Sequence, residues 1–407
     1  MAKLLIKNIG EFFTGDIAEP KADVQSLLIE GERIAALNPG IAEDDCDTVL
    51  DAAGGAIMPG LVDGHVHPVL GEWTPVQDAV GWVGKYLHGG TTSMISAGEL
   101  HIPGLDYHDL SPELVTSIAV VTAATTGRVR WSGVKLTAGT ALMVPGMTEA
   151  HFDRLAAAGT KLVKFLFYPL GGDREEALNY CRWARERGIR VKVHTGGVSR
   201  SGASVVCGYD ILSWLQPDIA AHVSGGPIPM PDEDMDAVVD HTNFFLEVCS
   251  SGNYLSTSRL VKRIKDTGQL SRLTMGTDTP GGTGVIPRGM LRKILLLASM
   301  CSLTPGEAIA VATGNTARAH GLDVGILAPG RPADVVACGP ITGSYGSTLD
   351  DAIQHGDLPG ISHIIIDGKI MVADGSQQTP PPTQPAFFCC CDVEHFPGRG
   401  LFTRKMR

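Results

Sequence analysis

Six apolar runs recur through the middle of this chain: TTSMISAG, KLVKFLF, IRVKVHTGG, IAAHVSGG, NFFLEVCSSG and LTMGTDTPGG. Longer helix-like segments separate them, and Gly, Ser, Thr and Asp gather where the runs stop. Strands that alternate with helices pair in parallel, and a ring of them carries its chemistry at the strand carboxyl ends. The pattern therefore predicts an α/β chain whose residues 57–320 form a (β/α)8 TIM barrel with a functional rim.

The flanks read differently. Residues 1–56 hold short runs with turn punctuation, LLIKN, SLLIEGERIAAL and TVLDAAG, which suggest a small antiparallel sheet. Residues 321–376 return to short runs, GILAPGRPADVVACG and ISHIIIDGKIMVADG, too few for a core of their own. The economical expectation is that they complete the N-terminal sheet, giving one small β-sandwich-like domain built from both chain ends. Residues 377–407 follow a Pro-rich stretch, TPPPTQP, and read as a flexible tail carrying Cys389, Cys390 and Cys391.

Charge and cysteine use narrow the function classes. With 33 Lys and Arg against 44 Asp and Glu the net charge is −11, and without a basic stripe nucleic acid is not an expected partner. A membrane partner is not expected either, because the sequence holds no apolar run long enough to span a bilayer. Nine cysteines, scattered apart from the tail triplet, lack the spacing of a disulfide scaffold and suit a reducing cytoplasm.

Titratable residues cluster where the runs end. In MPGLVDGHVHP, His65 and His67 are two apart, so on a strand both imidazoles share a face. Two neutral imidazoles converging on one point suit zinc or iron, although a lone His-x-His pair is a weak signal. His194 and His222 each close a run; a single histidine there is commonly a satisfied structural residue, and two of them one βα unit apart are harder to dismiss. Asp278 follows LTMGT and reads as a helix N-cap, a metal ligand or a general base. Lys164 sits inside KLVKFLF, where an ammonium needs a partner or a route to solvent. Lys161 lies at odd spacing from it, on the opposite strand face.

Taken together, His65, His67, Lys164, His194, His222 and Asp278 resemble the ligand set of the amidohydrolase superfamily, from about residue 3 to 376. The resemblance implies an HxH on the first barrel strand, a bridging Lys on the fourth, a His on each of the fifth and sixth, and an Asp on the eighth. It implies two divalent metal ions, zinc and/or iron with manganese as a further candidate, bridged by a carbamate that Lys164 forms with carbon dioxide. The stretches LHGGTTSMISAG, HTGGVSRSGAS, HVSGGP, DTPGGTGVIPRGMLRKILLLASM and ATGNTARAHGL look closest to the enamidase branch. That branch places a glutamate at the bridge, and this chain offers Lys164 instead.

The implied reaction is hydrolysis of a cyclic amide, such as a tetrahydro-6-oxonicotinate, by a hydroxide bridging the metals, with Asp278 shuttling the proton. A cyclic imide or hydantoin, or a deaminase or N-deacetylase substrate, would fit the same centre. A non-catalytic dihydropyrimidinase-like scaffold fits less well, since such proteins lose ligands. A substrate carboxylate calls for a cation, and Arg288 and Arg200 are the candidates. Thr195, Gly196 and Gly197 are candidates for shaping the pocket with backbone donors, and His88 is expected to pack structurally. The resemblance also implies a homo-oligomer, a tetramer.

Overall fold

The computed structural model describes residues 1–99, 101–165, 174–198, 204–226 and 228–391. Eight parallel strands form the barrel: β1 (Leu61–Val66), β2 (Thr91–Ser96), β3, β4 (Leu162–Phe165), β5 (Arg190–His194), β6 (Ile219–Ala221), β7 (Phe245–Cys249) and β8 (Leu273–Gly276). β3 is broken into Lys135–Thr137, which pairs with β2, and Ala141–Leu142, which pairs with β4. Neither piece is long enough to show as a run in the sequence, which is why only its neighbours stand out there. Just past β8 the ring closes on β1: the His67 N–H donates to Thr279 O at 2.6 Å and the Asp278 N–H to His65 O at 2.8 Å.

Register decides which residues share the lumen. Lys164 on β4 lies opposite Lys192 on β5, and His194 opposite Ala221 on β6. Paired residues on parallel neighbours point to the same face, so both lysines face inward. Helices cover the outside with apolar stripes. In Tyr254–Asp266 the buried residues Thr257, Leu260, Val261 and Ile264 recur at helical spacing, and Asn253 caps the helix by accepting from the Ser256 N–H at 3.1 Å. No described helix is long and apolar enough to cross a membrane.

The chain ends build two five-stranded sheets, not one. Thr48–Asp51 runs parallel to Lys3–Lys7, which also pairs antiparallel with Leu27–Glu30. Val335–Gly339 and Gly360–Ile366 do not extend that sheet; they join Ala56–Pro59 in the second. The sheets share a core that includes Ile6, Leu27 and Leu50 from the first and Ile57, Val335 and Ile365 from the second.

The expected flexible tail is also partly structured. Phe387–Cys391 pairs antiparallel with Thr48–Asp51 as an edge strand of the first sheet. Its Phe388 packs on the shared core and meets the His363 ring at 5.0 Å between centroids. The open edge of Thr48–Asp51 offers unpaired backbone groups, and an apolar segment arriving there satisfies them.

Candidate metal centre

All six residues of the ligand set come together at the carboxyl ends of the barrel strands. His65 lies in β1, Lys164 in β4 and His194 at the end of β5, with His67, His222 and Asp278 just beyond β1, β6 and β8. Each is buried. The His65 ring lies 5.1 Å from that of His67 and 5.4 Å from that of His222, and His194 lies 4.6 Å from His222, between centroids. Lys164 Nζ is 3.4 Å from His65 Nε2. Lys161 is exposed, in keeping with its place on the other strand face.

Tautomers follow from the partners. His65 Nδ1 is 2.6 Å from Glu247 Oε1, and an ionised carboxylate only accepts, so Nδ1 carries the proton. His67 Nδ1 is 3.0 Å from the Gly98 carbonyl and is likewise a donor. Both Nε2 lone pairs are thus left facing Asp278 Oδ1, at 3.5 Å from His65 and 3.1 Å from His67. Three electron pairs thus converge on one point. A divalent cation resolves that conflict, and the donor atoms of these three residues all lie within 4.8 Å of one another.

The electrostatics agree. Burial, followed by the charge of Lys164, holds the His65 imidazole well below its usual range, and the same two causes lower His194 to about 4. Burial and the neighbouring His194 keep His222 neutral as well. Neutral imidazoles are the form that binds metal. His194 Nε2 donates to Gly197 O at 2.8 Å, leaving Nδ1 with its lone pair, and the buried His222 Nδ1 has no hydrogen-bond partner among the described residues. Burial, then the charge of Lys192, lowers Lys164 to about 8, so its amine is readily available as a nucleophile.

Asp278 is not a helix cap: the helix Gly289–Met300 has Arg288 at its N-cap position. Its backbone is left-handed at φ 61°, as is that of His222 at φ 41°, and strain of this kind concentrates at functional sites. The side chain of Asp278 also meets Ser251 Oγ, 3.4 Å from Oδ2. A Cβ on Gly282 would lie 2.3 Å from that same Oδ2, so only glycine lets the loop fold over the carboxylate.

The other candidates separate. Thr195 is buried and its hydroxyl donates to Ala221 O at 2.8 Å, tying β5 to β6 instead of offering a donor to the mouth. The Gly196 and Gly197 N–H groups donate to Cys207 O and Ile228 O, so they are not free pocket donors. Gly196 sits at φ 80°, where a Cβ would meet Ile228 O at 2.4 Å. Arg288 lines a cavity beside Asp278, while Arg200 lies outside the described residues. His88 Nδ1 accepts the Gln377 N–H at 3.2 Å, a structural contact.

Sequence reasoning missed the layer behind the ligands. Glu247 on β7 and Lys192 on β5 are both fully buried and paired at 2.7 Å, and Lys192 also donates to Gly64 O at 2.6 Å. Burial alone would raise Glu247; the Lys192 ammonium overcomes it and holds the carboxyl below its usual range. The pair therefore keeps an anion on His65 Nδ1 and orients the ring. The signal was present: Glu247 in FLEVC and Lys192 in VKV each interrupt an apolar run with a charge, the same anomaly as Lys164. Asp63 accepts from Thr277 Oγ1 at 2.5 Å and from the His65 N–H at 3.1 Å, joining β1 to the end of β8. Cys249 lies 3.5 Å from Glu247 Oε1, and burial pushes its thiol well above the usual range.

The profile of the amidohydrolase family matches residues 56–371. Enamidase from Eubacterium barkeri is 35% identical over 95% of this chain and 99% of that protein. A 5'-deoxyadenosine deaminase from Methanothermobacter thermautotrophicus is 23% identical over 86% of this chain and 90% of its own length. The crystal structure of enamidase superposes with a TM-score of 0.88, covering 95% of this chain and 100% of that one. An amidohydrolase from a Sargasso Sea environmental sample, at 18% identity and TM-score 0.66 over 91% of this chain and 93% of that one, shares the fold.

Proposed function

The chain belongs to the amidohydrolase family, and we propose that it hydrolyses the ring amide of a cyclic enamide, a tetrahydro-6-oxonicotinate being one such ring. The observation that carries this reading is the convergence of the His65 and His67 lone pairs on Asp278 beside Lys164. In this proposal His65, His67, His194, His222, Lys164 and Asp278 hold two divalent ions, zinc and/or iron, with Lys164 as a carbamate. The carbamate forms when the Lys164 ammonium gives up one proton to become the amine and the amine then adds to carbon dioxide with loss of a second, which turns an awkward buried cation into an anion. Metal bound there supplies a Lewis acid for the amide carbonyl and lowers the pKa of the attacking water.

The chain's own groups do the rest. Asp278 removes the proton of the attacking water as the C–O bond forms, then returns it to the ring nitrogen as the C–N bond breaks. Ser251 lies beside Oδ2 of that carboxylate, and the N–H groups of Gly282 and Thr283, which donate to the Asp278 backbone carbonyl at 3.0 and 3.1 Å, hold the residue's backbone in place. Glu247 fixes the ring of His65. The two terminal sheets act as one β-domain that braces the barrel.

The test is a panel of ring amides, imides and hydantoins assayed beside elemental analysis. The expected result is turnover of an unsaturated lactam with release of ammonia, about two divalent ions per chain, and loss of activity in chelator that added metal restores. Metal-free protein with full activity would overturn the metal centre. Turnover of an adenine nucleoside and of no ring amide would assign a deaminase instead.

For Lys164, substitution to Ala is expected to reduce turnover at least about tenfold, a typical cost for groups that order a metal site. Added acetate should restore part of it by occupying the gap. Wild-type turnover in Lys164→Ala would exclude Lys164 as the bridge.

A further inference from the structure

Behind Asp278, between the loops that follow β7 and β8, lies a cavity of about 570 Å³. Arg288, Arg292 and Lys293 line it, together with Ser250, Ser251 and Tyr254. Two of its polar atoms are orphans. Lys293 is 2% exposed, and neither its Nζ nor the buried Ser250 Oγ has a hydrogen-bond partner among the described residues. Among the described residues that line this cavity, none is an Asp or a Glu.

A buried ammonium without a counter-charge is costly, and native proteins seldom keep one without a use for it. This one projects from the helix Gly289–Met300, one turn beyond Arg288 at the helix N-cap. Burial lowers its pKa to about 8, so near neutral pH it still carries a proton for a ligand to accept. The cavity also adjoins the reacting groups, for two lining residues touch Asp278: Ser251 Oγ lies 3.4 Å from Oδ2, and Thr283 Oγ1 donates to the backbone carbonyl at 3.2 Å. Through Ser251 and Thr283 the cavity borders Asp278, and its described lining offers cations and hydroxyls to an anionic group of a ligand held at the cluster.

We propose that Lys293, Arg288 and Ser250 form an anion subsite that takes a carboxylate carried on the substrate ring. The arginine offers a planar fork and the lysine a point charge, a combination suited to a carboxylate. Arg292, which is exposed at the rim, draws the anion in without being buried against it. The proposal rests on the cyclic-amide reading for what the other end of the ligand is, and it names the chemistry of this end.

The test compares two ligands on the purified, metal-loaded protein by calorimetry. 6-Hydroxynicotinate carries a ring amide in its oxo form and a carboxylate; 2-hydroxypyridine is the same ring without the carboxylate. Wild type is expected to bind the first at least about tenfold more tightly, the size of a hydrogen-bonded charge contact. In Lys293→Met that preference should fall below about threefold while affinity for 2-hydroxypyridine holds. A wild type that does not distinguish the ligands, or a Lys293→Met that keeps the full preference, overturns the subsite. If Lys293→Met does not fold, Arg288→Gln takes its place; it is expected to shrink the preference, and an unchanged preference overturns the proposal. The two readings fail separately. A protein that prefers the carboxylate but opens no ring amide keeps the subsite and loses the reaction, and one that opens ring amides without the preference does the reverse.

Discussion

Asp278→Asn is expected to fold normally, keep most of its metal and lose at least about a hundredfold in turnover, the usual scale of general acid–base catalysis. The expectation of normal folding comes from the backbone. Asp278 sits at φ 61°, and Asn tolerates the left-handed region as Asp does. The amide preserves the shape packed under Gly282, and its oxygen can still face His67. It cannot take up and release the proton that the ring nitrogen needs. Turnover, thermal melting and metal content measured on the same preparation separate the roles. A variant that melts early yet turns over normally would make Asp278 a structural residue, and the proton would have to move through another group.

Lys192→Met should be the most destabilising single change in the barrel lumen, at about 3–5 kcal/mol, the cost of breaking a buried ion pair by removing one partner. Lys192 and Glu247 are both fully buried, and Lys192 also satisfies the Gly64 carbonyl just before His65. Removing the ammonium strands an anion and a backbone acceptor together. Denaturant titration of the variant measures the loss. The double variant Lys192→Met with Glu247→Gln should recover part of it, because the remaining group is neutral. A single-variant loss below about 1 kcal/mol would show that Glu247 accepts a proton there at little cost, and the pair would then contribute orientation more than stability.

The alternation of apolar runs with helical segments was enough for the barrel, because burial on both faces leaves a local imprint on each parallel strand. Strand spacing was likewise enough to put His65 and His67 on one face and Lys161 and Lys164 on opposite ones. The broken third strand left no such imprint: Lys135–Thr137 and Ala141–Leu142 are each too short, and only their separate partners make them one position in the ring. Phe387–Cys391 looked like tail because a Pro-rich stretch precedes it; its strand conformation comes from the open edge of Thr48–Asp51, more than 330 residues away in the chain.

At the candidate centre, the residue types at the strand ends were legible as a set of ligands, but the state of each group was not. Which nitrogen of His65 carries a proton depends on Glu247, three strands from Lys164 around the ring, and Glu247 stays ionised only because register and closure bring Lys192 against it. Lys293 reads in the sequence as one more basic residue in PRGMLRKILLLASM. Only the packing of its helix against the loops after β7 and β8 removes it from water, leaves it without a partner and places it in a cavity beside Asp278. Periodicity along one segment determines which face a side chain takes. Desolvation and charge partners depend on segments far apart in the sequence, so the protonation states and the orphaned cation were decided by the tertiary structure alone.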